Sequence, residues 1–320
     1  MLLTMLVVSI MVFVIMELPP GDYADRLAFR KFSGTGVTVT ESDIQSIRQQ
    51  LGLDRPAYER YLSWIGGILT RFDFGPAFAF ETSVNNVIGN KIWFTLALLL
   101  LSLTLTYVIS LPIGIIAAVN RNSAGDYLLT IVSYLGLALP NFLLALVFLY
   151  LGVRYFDISI GGLFSPAYID APWSAAKVWD LTTHLALPAI LLAWSATALQ
   201  IQTIRATMSD ELNKLSVLAA RARGLPEWKL LLKYPARLAI NPVVSTVGFD
   251  INRIFSELPI VALVLGLPEL GELLIRSYID GDMYVAGAIL LLLTFVIVFT
   301  NLLSDIALAL IDPRIKLQQG

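Results

Sequence analysis

Three ionisable residues, Asp250, Arg253 and Glu257, interrupt an otherwise apolar stretch at spacings of three and four. On a helix they fall within an arc of about 60°, so one face carries two carboxylates and a guanidinium. Charges set into an apolar helix turn toward a bundle interior or a watery path and pair with one another. Two chemistries follow: contact with a polar or zwitterionic solute at a gate, or an internal ion pair, Asp250–Arg253 or Arg253–Glu257. A second constellation lies upstream, where Ala219-Ala220-Arg221-Ala222-Arg223-Gly224-Leu225-Pro226 is followed by Trp228, Lys229, Lys233 and Arg237. Small residues let another surface approach closely, and Gly224-Leu225-Pro226 turns the chain sharply. Leu225 and Trp228 set apolar anchors among basic groups, a mixture suited to a protein–protein contact. The same basic residues also suit a loop that merely sets membrane topology.

Other chemistries are excluded. The chain has no cysteine, which removes disulfides, thiolate metal sites and a Cys nucleophile. Its one histidine, His184, stands beside Leu-Ala-Leu-Pro with no obvious acidic partner. No GxxxxGK[ST], HExxH or GxSxG pattern occurs, so no enzyme activity, bound cofactor or metal is expected of this chain. A net charge of −2 without blocks of like charge argues against nucleic acid.

The elements that must position these residues are membrane spans. Of 320 residues, 57% are hydrophobic and 14% charged, and the mean hydropathy is +0.75. Soluble domains run at about 45–50% apolar and about 25% charged. The expected fold is an all-α integral membrane protein with six transmembrane helices at 1–16, 92–120, 127–153, 181–204, 238–268 and 283–311. The first span is short, about 24 Å at 1.5 Å per residue, against a hydrocarbon core of about 30 Å. Either the bilayer thins locally around it, or the true start lies upstream. Loops 120–126 and 205–237 with the tail 312–320 hold ten Lys and Arg in 49 residues, whereas 17–91, 154–180 and 269–282 hold eleven in 116. The denser set is expected on the cytoplasmic side, with both termini.

Within the long external loop 17–91, apolar spacing predicts short amphipathic helices at 43–51 and 56–69. These would rest on the membrane, receive a soluble protein, or cap the bundle. The 154–180 loop carries Tyr155, Phe156, Phe164, Tyr168, Trp173 and Trp179, which suit an interfacial aromatic belt or stacking surfaces for solute. Gly114, Ser133 and Gly136 suit close helix packing, and Pro112 and Pro140 are expected to kink their helices.

The 219–228 segment resembles the cytoplasmic EAA-type loop of ABC importer permeases, in the form used by the dipeptide/oligopeptide/nickel group. Further pieces match in order: Leu18-Pro19-Pro20-Gly21-Asp22, Leu51-Gly52-Leu53-Asp54-Arg55-Pro56, His184-Leu185-Ala186-Leu187-Pro188, Leu267-Pro268-Glu269-Leu270-Gly271 and Asp312-Pro313-Arg314. Leu218 stands where the general motif has an acidic residue, and Arg237 where it has a proline. The charged triplet also departs from the pattern, which has glycine and aliphatic residues there.

The resemblance implies a permease subunit of a binding-protein-dependent importer in the bacterial inner membrane. Its implied partners are a second homologous permease, two cytoplasmic ATPase subunits that carry ATP and Mg, and an external solute-binding protein, all besides the lipid bilayer. It implies that Ala219, Ala220, Arg221, Ala222, Arg223, Gly224, Leu225 and Trp228 form a coupling helix that contacts an ATPase. The implied cargo is a small polar solute, peptides first, then oligosaccharides or opine-like conjugates. Nickel is disfavoured, because one histidine and no cysteine offer few ligands. The rival is a stand-alone secondary transporter that uses Asp250, Arg253 and Glu257 as its own substrate or ion site.

Overall fold

The computed structural model describes residues 2–18, 23–32, 40–156 and 161–311. Among the described residues it is helical almost throughout: α1 (Leu2–Glu17), α2 (Tyr23–Phe32), α3 (Glu41–Gln50), α4 (Ala57–Arg71), α5 (Val84–Val119), α6 (Ala124–Ala138), α7 (Asn141–Phe156), α8 (Ala175–Leu212), α9 (Leu215–Ala222), α10 (Glu227–Lys233), α11 (Pro235–Leu265), α12 (Leu270–Asp280) and α13 (Met283–Ile311). A two-residue antiparallel pair, β1 (Pro76–Ala77) and β2 (Thr82–Ser83), is the exception to an all-α chain. The motifs at 18–22 and 312–314 and the tail 312–320 lie wholly or largely outside the described residues.

Among the described residues, three helices, Val84–Val119, Ala175–Leu212 and Met283–Ala307, are long and apolar enough to cross a membrane. Counting each bent helix pair as one span raises the number to five. The expected span 127–153 is not one helix: α6 and its successor meet at 100°, because Pro140 has no N–H to continue the ladder and disfavours helix at Leu139. Pro112, by contrast, is carried inside α5, which runs on past it as one helix. The expected loop 269–282 is a helix instead over Leu270–Asp280, α12. Glu269 starts α12: its carboxylate accepts from the Glu272 amide at 2.8 Å.

The chain divides into two compact units. In the first, residues 1–95 with 268–298, α4 packs on α1 through Phe13, Tyr61 and Trp64. Leu270 and Leu273 of α12 share a core with Val84 and Ile88 of α5 and with Val285 and Ile289 of α13. Helices α3 and α4 fall where apolar spacing put them. Helix α2 was not foreseen, although Ala24 and Ala28 at i, i+4 pack against Ile44 and Ile47.

Arg26 Nη1 donates to the Tyr278 and Ile279 carbonyls at 3.2 and 2.6 Å, so the 17–91 and 269–282 segments lie on one side.

In this same unit Glu269 is 1% exposed and also accepts from Thr95 Oγ1 at 3.0 Å. Burial pushes its carboxyl up to about 7, against the opposing pull of its amide and hydroxyl donors and of Lys91. A carboxyl raised on folding contributes stability that is complete at acid pH and is lost as pH rises through the folded value. The thermal midpoint of the purified protein is therefore expected to fall between pH 5 and pH 8. Glu269→Gln, which keeps the acceptor oxygen, is expected to flatten that fall; an unaltered pH profile would refute the assignment.

In the second unit, residues 96–267 with 299–320, α8 is central. Leu191, Leu192, Ala196 and Ile204 are buried among its neighbours, and α6, α7 and α11 pack around it. The close approaches occur at glycines. A Cβ on Gly114 would lie 2.7 Å from Ile204 Cβ, and one on Gly136 2.9 Å from Ala198 Cβ. Gly248 of α11 does the same against Asn301 of α13, a contact the sequence reading missed.

Candidate functional site

The 219–228 segment forms a helix, a turn and a second helix. Gly224 has φ +78°, and the Leu225 amide donates to Ala220 O at 3.3 Å while the Gly224 amide donates to Arg221 O at 3.0 Å. This is the two-bond cap that ends helices at a left-handed residue. Pro226 then opens α10. Val217, Ala220 and Leu230 pack together, with Leu225 and Tyr234 against them, so the two helices hold one another.

That packing sorts the proposed contact residues. Ala219, Arg221, Ala222, Arg223, Gly224 and Trp228 are exposed, together with Leu215 and Leu218. Ala220 is 1% exposed and Leu225 is half-buried, so these two brace the tip from within and do not form its outer surface. Arg221 is bound to Glu227, which holds the Arg221 charge in place and the Glu227 carboxyl below its usual range. The Lys229 ammonium lies 5.2 Å from the Trp228 ring.

The tip is tied to the bundle just above it. Arg205 of α8 grips Asp126, in the first turn of α6, through Nε–Oδ1 at 2.6 Å and Nη2–Oδ2 at 2.8 Å. Asp126 also accepts from the Asn122 amide at 2.9 Å. The pair sets loop 120–126 beside the start of 205–237. Neither residue was singled out from sequence; no spacing announces a contact between positions 79 apart.

The charged triplet does face one way, into the second unit; of its two readings, the internal ion pair is not formed among the described residues, where the carboxylates take neutral partners. Asp250 is 1% exposed and accepts from Tyr107 Oη at 2.7 Å and Gln200 Nε2 at 2.6 Å. Glu257 accepts from Ser195 Oγ at 3.2 Å and from Asn141 Nδ2. Arg253 donates to the Ser195 carbonyl at 3.3 Å. The helix that carries the charges is packed against α8 and α7, and the hydroxyls and amides of those helices meet the carboxylates first. Asn141 opens α7 directly after the break at Pro140, so Glu257 holds that break in place. Tyr107, Asn141, Ser195 and Gln200 were not singled out from sequence. Their one signal was polarity inside apolar helices.

His184 does have an acidic neighbour. Asp180, one turn earlier, comes within 3.7 Å of its Nδ1, which also meets the Asp180 carbonyl at 2.9 Å. Asp180 receives the Ser165 hydroxyl and amide as well, at 2.6 and 2.8 Å. Two of the aromatics in 154–180 are also engaged internally: Phe164 and Trp173 enclose the Lys177 ammonium, at 4.8 and 5.4 Å from their ring centres.

Long apolar helices, glycine-seated crossings and an exposed basic–apolar helical tip describe an integral membrane protein that offers a surface outside the bilayer. The chain belongs to the family described as binding-protein-dependent transport system inner membrane component, matched over residues 110–317, with the N-terminal component of the same system matched over 1–99. It is 34% identical over 314 residues to a putative peptide permease protein of Brucella ovis, covering 98% of this chain and 95% of that one. It is 31% identical to the oligopeptide transport system permease protein AppB of Bacillus subtilis, covering 97% and 94%. To the glutathione transport system permease protein GsiC of Escherichia coli the figures are 30%, 98% and 95%. Among solved structures, a chain of the MetNI methionine ABC transporter in inward-facing conformations shares the fold, with a TM-score of 0.57 at 16% identity, over 71% of this chain and 96% of that one. The stand-alone carrier reading gives way to that of an ABC importer permease.

Proposed function

We propose that this chain forms half of the translocation pathway of a peptide importer in a bacterial inner membrane. It crosses six times, through α1, α5, the broken pair α6–α7, α8, α11 and α13, with both termini in the cytoplasm. A second homologous permease completes the pathway, a soluble binding protein delivers cargo from outside, and two ATPase subunits hold ATP and Mg. The chain itself performs no chemistry. The observation that carries the reading is the exposed tip of α9 and α10, where Ala219, Ala222 and Trp228 stand beside basic side chains on a turn held by its own core. Such a tip is stiff, and stiffness is what a lever between ATP-driven closure and the spans requires. Peptide cargo is supported by the names of the similar permeases. Of the three gate candidates, Arg253 and Glu257 are half-buried and keep that role. Asp250 serves to tie α5, α8 and α11.

Affinity purification of the chain in mild detergent, with mass spectrometry of what accompanies it, tests the assembly. An ATPase and a second permease are expected, and the chain isolated alone would refute the reading. In proteoliposomes containing the full complex, uptake of a labelled di- or tripeptide is expected to need both ATP and the binding protein. Uptake of an oligosaccharide but of no peptide would overturn the cargo.

A further inference from the structure

We propose that α4 is a membrane-interface helix, with its apolar stripe of Tyr58, Leu62, Ile65 and Leu69, exposed except for the half-buried Ile65, covered by lipid. The four residues follow i, i+4, i+7, i+11 spacing and occupy an arc of about 60°. Leu62 and Leu69 are 62% and 75% exposed, and Phe72 at the end of the helix is 76% exposed. They are not the face that holds α4 to the protein. That face is formed by Tyr61, Trp64 and Ile68, which pack with Val12 and Phe13 of α1 and with Leu291 of α13. A third face, Glu59, Ser63 and Thr70, is polar and exposed.

Depth selects the occupant. Tyr61 Oη meets Ser9 Oγ at 2.9 Å, and Ser9 lies eight residues inside the Glu17 end of α1, about 12 Å along the helix. Leu291, in the same cluster as Trp64, lies eight residues inside the Met283 end of α13, again about 12 Å. Half a hydrocarbon core is about 15 Å. Arg60, next to Tyr61, reaches Glu17 at the end of α1, so α4 lies between that polar level and the depth of Ser9. That places it at the boundary of headgroups and acyl chains, where amphipathic helices bury their apolar faces by about 5–10 Å. Helix α1, on which α4 packs, likewise exposes apolar side chains, at Leu6, Ile10 and Val14. The inference rests on α1 and α13 crossing the bilayer and is independent of the cargo and coupling readings.

The chain has no native cysteine, so single labels can be placed in it without background. Leu62→Cys, Leu69→Cys, Ser63→Cys and Ile10→Cys would be spin-labelled in the full complex in lipid nanodiscs and read by power saturation with oxygen and with Ni-EDDA. At 62 and 69 oxygen is expected to relax the label severalfold more than Ni-EDDA, with the reverse at 63. Strong Ni-EDDA relaxation at 62 and 69 would overturn the proposal in favour of a water-facing docking surface. Protection from both agents would overturn it in favour of cover by the second permease. The Ile10 label separates the failures: water access there would mean that α1 itself does not span.

Discussion

Gly224→Val is expected to abolish ATP-driven uptake while the chain still inserts and accumulates in the membrane. The cause is backbone geometry alone. Gly224 has φ +78°, and a Cβ built there meets nothing within 4 Å, so no clash is involved. An L-residue in the left-handed region costs roughly 1–2 kcal/mol, and a β-branched one is a genuine outlier there. The capping bonds to Ala220 and Arg221 depend on that conformation. When they are lost, α9 and α10 no longer share the core of Val217, Ala220 and Leu230, and the tip loses stiffness. Gly224→Asn, which tolerates the left-handed region, is expected to retain most transport, and Gly224→Ala to fall between the two. Uptake in proteoliposomes, binding-protein-stimulated ATP hydrolysis and the amount of chain in the membrane together decide the matter. Normal uptake by the valine variant would remove the coupling role from this turn.

The largest loss of stability is expected from Arg205→Ala. Asp126 is 2% exposed and its carboxylate depends on the two Arg205 bonds. Removing Arg205 leaves the carboxylate with the Asn122 amide and the nearby Arg121 charge as its remaining compensation, a loss of about 1–3 kcal/mol. The lower end applies here, because the Arg205 side chain is 25% exposed. Arg205→Ala combined with Asp126→Asn is expected to recover much of the loss, since the amide oxygen still accepts from Asn122 and no charge is stranded. Thermal midpoints in detergent of the wild type and the two variants test this; an unshifted Arg205→Ala midpoint would show that the pair does not matter.

Composition and periodicity alone determined that the chain is a helical membrane protein, because only long apolar helices satisfy their own backbone polar groups in lipid. They also placed α3 and α4, the tight glycines at 114 and 136, and the turn at Gly224. Each of these is a local property: a stripe at helical spacing, a missing side chain, a residue able to take positive φ. Tertiary structure decided what those elements touch. It broke the expected third span at Pro140, built α12 out of an expected loop, and turned Ala220 and Leu225 inward. It joined Asp126 to Arg205, and it gave Asp250 and Glu257 the side chains of Tyr107, Gln200, Asn141 and Ser195 in place of Arg253. Helical spacing says which residues share a face and nothing about which donors the neighbouring helices bring to it. Those donors lie 50 to 143 residues away in the chain for Asp250. Only the packing of α5, α7, α8 and α11 brings them within hydrogen-bond reach.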